Sequence, residues 1–175
     1  MTLFELLIVM MIVGIVYSVG MIALKKENIT VSSVTLSDLK NTLASLAQTG
    51  QIRMVCDLSC KECRVWSESA TPLATVRLKA DDPIERYGFD RFGELKKLGN
   101  IVTRSGGTLR QECFEYVLYP DGTSSPLILK NDQKYYVYTP LAKKPFVAGS
   151  EEALRKFVFD EAHYPLRGDV YYVGQ

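Results

Sequence analysis

From Leu6 to Leu24 the chain reads LLIVMMIVGIVYSVGMIAL, 19 residues in which only Tyr17 and Ser18 carry polar side-chain atoms. As a helix this run would extend about 28 Å, close to the ~30 Å hydrocarbon thickness of a bilayer. Apolar residues fall on every helical face, which excludes a solvent-lying amphipathic helix. A buried core helix seldom lacks a polar face over this length. A secretory signal peptide needs a basic n-region, a shorter apolar core and a small-residue cleavage site, whereas here Lys25-Lys26-Glu27-Asn28 follows the run. The expectation is a single-pass anchor over residues 1–26, with Leu6, Ile8, Val9, Gly14, Gly20 and Leu24 in the span. Lys25 and Lys26 alone would hold the following domain in the cytoplasm, so an outward head calls for a basic leader, removed ahead of Met1.

Glu5 is the one charged residue before Lys25. An ionised acid in lipid costs on the order of 2.5–3.5 kcal/mol at a helix centre, so it wants a partner. The α-amino group of a processed Met1 is one, about a helical turn away, where the helix N-terminus also favours negative charge. Between parallel, axially offset helices, the Glu5 of one chain can instead neutralise the amino group of the next and set their register.

The segment Met1-Thr2-Leu3-Phe4-Glu5-Leu6-Leu7-Ile8-Val9-Met10 resembles the N-terminus of type IV pilins and of the pseudopilins of type II secretion, usually written FTLIELLIVM. Thr2, Leu3, Glu5, Leu6, Leu7, Ile8, Val9 and Met10 match that pattern directly. Met1 stands in place of phenylalanine, Phe4 in place of an aliphatic residue, and Ile22 where major pilins often carry proline. The resemblance implies a basic leader cut by a prepilin peptidase that also methylates Met1, with Glu5 and Thr2 at the assembly register. It implies a bacterial inner-membrane protein with a periplasmic head, lifted by an inner-membrane assembly platform from lipid into a filament of other pilin-like subunits. Secreted cargo is a further implied partner.

Leu36, Leu39, Leu43 and Leu46 recur at helical spacing, with Ser37, Asp38, Lys40 and Asn41 between them. They predict an amphipathic continuation of the stem over 27–50, although the β-branched stretch Asn28–Thr35 is a weak helix former. From Gln51 the period changes toward two, in a strand-rich head over 51–175. Strands are expected at Gln51–Cys56, Cys63–Ser67, Ala74–Lys79, Asn100–Arg104, Gln111–Tyr119, Ser125–Lys130, Lys134–Thr139 and Asp169–Val173. Asn131-Asp132 suggests a hairpin and Pro120-Asp121-Gly122 a turn. Ser150 before Glu151 and Glu152 predicts a capped short helix over 151–159. The fold class expected is α+β, with a long N-terminal hydrophobic helix packed on an antiparallel sheet. Tyr116–Gly122 followed by strands is similar to the head of minor pseudopilins of the H type.

Cys56, Cys60, Cys63 and Cys113 admit three pairs of disulfides, among which sequence does not choose. An oxidising periplasm favours two bridges. A tetrahedral zinc site on the four thiolates is the rival, and a redox-active Cys60-Lys61-Glu62-Cys63 pair a third reading. His163 is the only histidine and is read as a loop residue. Asp81-Asp82 and Asp160-Glu161 could bind a calcium ion, as some pseudopilin heads do, but a hard cation wants more oxygens than either pair offers, and solvated surface is the preferred reading. No phosphate loop, nucleophile elbow or zinc-protease helix occurs, so no catalytic residue or cofactor is expected. Lys plus Arg is 21 against 20 for Asp plus Glu, which gives no electrostatic attraction to nucleic acid. The function expected is that of a minor pseudopilin driving secretion across the outer membrane. A minor pilin, a DNA-uptake pseudopilin, and a single-span metal-thiolate or thiol-redox protein are the alternatives.

Overall fold

A computed structural model of the chain describes residues 3–23, 29–47, 50–67, 71–105 and 108–161. Helix α1 runs Leu3–Ala23, with side chains described at Phe4, Glu5 and Leu7–Ile15. Strand β1 (Ile29–Val34) and a 3-10 turn (Leu36–Asp38) lead to helix α2 (Leu39–Leu46). Strands β2 (Ile52–Cys56), β3 (Glu62–Trp66), β4 (Ala74–Leu78), β5 (Glu85–Phe89) and β6 (Leu95–Lys97) follow. Then come β7 (Ile101–Ser105), β8 (Thr108–Glu112), β9 (Phe114–Leu118), β10 (Leu127–Asn131), β11 (Lys134–Tyr138) and β12 (Phe146–Ala148). Helix α3 (Glu151–Lys156) continues into a π-turn at Phe157–Glu161.

This arrangement corrects the expected fold class. Strand predominates, at 41% against 24% helix, and it forms two five-stranded sheets rather than one antiparallel sheet under a continuous helix. The first sheet has the order β1-β4-β3-β2-β9 and the second β12-β11-β10-β5-β6. The first is mixed, because β1 runs parallel to β4, with Ile29 opposite Ala74 and Val31 opposite Val76. The physical reason lies in Ile29-Thr30-Val31-Ser32-Ser33-Val34, whose β-branched residues suit a pleated ribbon better than a helix. Ser33 has φ 64°, at an irregularity in the β1–β4 register between Val31 and Val34. Among the described residues, the continuation expected over 27–50 is therefore helical only over Leu36–Leu46.

The localisation is corrected as well. Among the described residues no helix is long and apolar enough to cross a membrane. A single-pass inner-membrane placement is accordingly not supported.

The main core lies where α2 meets both sheets. Leu36, Leu39 and Leu43 pack with Ile52, Met54, Val65, Val76, Phe114 and Tyr116 of the first sheet, and with Leu127, Leu129 and Tyr138 of the second. The opposite face of the second sheet buries Ile128, Tyr135, Val137 and Ala148 under Leu154 and Val158 of the C-terminal helical segment. Successive side chains of a strand point to opposite faces, so β10 is buried on both and reads Leu127-Ile128-Leu129 without a polar break. Lys40, expected on the solvent side of α2, is buried instead. Its Nζ donates to the carbonyls of Pro140 at 2.7 Å and Ala142 at 2.8 Å, tying α2 to the β11–β12 loop. Burial lowers its pKa against the opposing pull of the Asp121 charge.

Candidate functional site

Two features bear on function: the uncovered N-terminal helix and the disulfide-bound edge of the first sheet. In α1, Glu5 sits exposed in the first turn. Phe4, Leu7, Met10 and Met11 are exposed by 75%, 61%, 67% and 66%, and Ile8, Val9, Ile12, Val13 and Ile15 are also exposed. None of the described apolar side chains of this helix is buried by the rest of the chain. Contiguous exposed apolar surface of this kind marks an interaction site. The sequence points to Leu6, Ile8, Val9, Gly14, Gly20 and Leu24 in this helix. To Ile8 and Val9 the structure adds Phe4, Leu7, Met10 and Met11, whose signal was the absence of any polar face. Gly14 and Gly20 lie within the helix, while Met1, Thr2 and Leu24 and the side chain of Leu6 lie outside the described residues.

The four cysteines form two bridges, Cys56–Cys63 with Cα atoms 3.9 Å apart and Cys60–Cys113 with Cα atoms 5.4 Å apart. The first joins directly opposed residues of β2 and β3. The second pins the turn between those strands to the residue that separates β8 from β9. Cys60 has φ 57° and donates its N–H to the Asp57 carbonyl, while the Cys113 N–H donates to the Cys56 carbonyl at 2.9 Å. With all four sulfurs so bonded, the thiolates that a zinc site or a Cys60–Cys63 redox pair requires are already committed elsewhere.

The same corner anchors the β7–β8 hairpin, which joins neither large sheet. Glu112, buried at the hairpin base, accepts from Arg64 of β3 at 2.8 Å, and that guanidinium also lies 5.4 Å from the Trp66 ring centroid. Arg53 of β2 and Glu115 of β9 form a second ion pair across paired strands. These contacts hold strands in place and bring no nucleophile against a general base.

Asp81 and Asp82 are exposed in the loop after β4, and Asp160 is exposed in the π-turn. No group of three or more potential metal ligands is present among the described residues. His163 and the expected strand at Asp169–Val173 lie outside the described residues. Compared with known proteins, the chain matches no family model, no curated protein and no solved structure.

Proposed function

We propose that the chain is a non-enzymatic structural subunit of a pilin-like helical filament, and within that class a minor pseudopilin of a type II secretion system. The observation that carries this reading is the apolar surface of α1, exposed at Phe4 and at the described apolar side chains from Leu7 to Ile15, and opened by an acid in its first turn. The match of Thr2 through Met10 to the pilin N-terminal pattern, save Phe4, supports the same reading. In a filament the stems of neighbouring subunits cover one another, and each large apolar side chain so buried contributes roughly 1.5–3 kcal/mol. Glu5 lies close to the helix N-terminus, where an amine of the adjoining subunit would lock the axial offset of the two stems.

The test is incorporation of Glu5→Ala into filaments assembled with the other subunits of a secretion system, read by co-sedimentation of sheared filaments. The variant is expected to keep a folded head by circular dichroism and to lose at least about tenfold in incorporation. Assembly equal to that of the parent chain would overturn the reading.

A further inference from the structure

The turn from Asp90 to Glu94, which joins β5 to β6, is unusually well fixed for a surface segment. Asp90 Oδ1 accepts from the N–H groups of Phe92 at 2.8 Å and Glu94 at 3.0 Å. The Gly93 N–H donates to the Asp90 carbonyl and the Asp90 N–H to the Glu94 carbonyl, both at 2.9 Å. Lys96 Nζ lies 2.7 Å from Asp90 Oδ2, and its hydrogen bond, with those from the Glu94 and Phe92 N–H groups, pulls the Asp90 carboxyl down to about 2.

This frame carries a phenylalanine into solvent. Phe92 is 72% exposed, with the Arg91 guanidinium 4.7 Å from its ring centroid. Aromatic and arginine side chains are enriched among the residues that carry most of the binding energy at protein interfaces.

Beside the knob lies its complement. Gly93 has φ +77°, and the ring of Phe159 stands 3.4 Å from where a β-carbon would be. Phe159 also packs edge-on to Phe89, with centroids 5.0 Å apart, and is 43% exposed. It forms one wall of an open depression completed by Glu151, Glu152, Arg155, Lys156 and Asp160. Three carboxylates outnumber two cations there, so the depression offers an aromatic wall and a net negative charge to an incoming Arg–Phe pair.

We propose that two copies of this chain associate about a two-fold axis, the Arg91–Phe92 knob of each seating in the depression between α3 and the π-turn of the other. Because Gly93, next to Phe92, packs on the Phe159 wall, knob and depression are neighbours, and reciprocal seating about the two-fold axis closes as a dimer instead of propagating. It uses only the head, and stands or falls separately from the filament reading, which rests on α1.

Sedimentation velocity of the full chain in a non-ionic detergent, which masks α1, tests the contact over a concentration series. A monomer–dimer equilibrium is expected. Phe92→Asp, at a side chain that contributes nothing to the core, should weaken it by about 30-fold or more, the size of an interface hot spot. Arg91→Glu should weaken it as well, and combining Arg91→Glu with Glu152→Arg should restore it, a rescue that loss of folding cannot mimic. A parent chain that stays monomeric throughout, a Phe92→Asp variant that dimerises unchanged, or an Arg91→Glu defect that Glu152→Arg does not repair would each overturn the proposal.

Discussion

Tyr116 and Tyr138 share the main core, their ring centroids 5.2 Å apart, and differ in what their hydroxyls meet. Tyr138 donates to the Leu36 carbonyl at 2.6 Å, whereas the fully buried Tyr116 hydroxyl meets only Ser124 among the described residues, in a contact that falls short of hydrogen-bond geometry. Leaving a buried acceptor unpaired costs about 1–3 kcal/mol, so Tyr138→Phe should lower the melting temperature by several degrees. Tyr116→Phe removes a hydroxyl that has no well-formed hydrogen bond and should leave the melting temperature unchanged or raise it. Thermal melts of the two variants side by side check the contrast. The alkaline limit follows from the same burial, which lifts the Tyr116 phenol to about 12. A raised phenol pKa favours the neutral folded form, so this contribution is intact below about pH 10 and is lost as pH climbs toward 12. Tyr116→Phe should blunt that alkaline loss in a pH series of melts. At this scale the sequence revealed little. Lys40 reads as a solvent-facing residue between leucines, because the carbonyls that accept its hydrogen bonds lie about a hundred positions away.

Elements were more readable where apolar alternation is strong. Gln51–Cys56, Ala74–Lys79 and Lys134–Thr139 coincide with β2, β4 and β11 to within a residue. The Ser150 hydroxyl accepts from the Ala153 N–H at 3.2 Å at the start of α3, as its position before two acids implied. Strands β5, β6 and β12 escaped, the first because Glu85, Arg86 and Gly88 interrupt the pattern, the others because three residues carry almost none. The span Gln111–Tyr119, read as one strand, breaks at Cys113, where a bridge chosen by tertiary proximity redirects the chain.

That bridge closes a much longer loop than its neighbour, 53 positions against 7. In the chain-entropy account it restrains the unfolded chain more, by about 4 kcal/mol against about 2. Urea denaturation of the paired alanine variants should therefore rank Cys60→Ala with Cys113→Ala as the more damaging. The opposite order would show that native packing around β2 and β3, and not loop closure, governs the stability.

At the scale of the whole molecule, the folded head and the apolar helix are separable in their energetics. The head has its own two cores, built from α2, the two sheets and the C-terminal helical segment. The described apolar side chains of α1 contribute to neither, since all of them are exposed. A long apolar stretch thus predicts that something must cover it, while its sequence alone does not say whether lipid, the chain itself or another copy does so. Leu7→Ser, Met10→Ser and Met11→Ser together provide the discriminating variant. Exposed substitutions away from special features usually change stability within about 0.5 kcal/mol each, so the head's unfolding midpoint should stay nearly fixed. If neighbouring stems bury these side chains, each lost contact should weaken association by about tenfold or more. A large fall in the unfolding midpoint, with association unchanged, would place α1 against the head instead and remove the surface on which filament assembly depends.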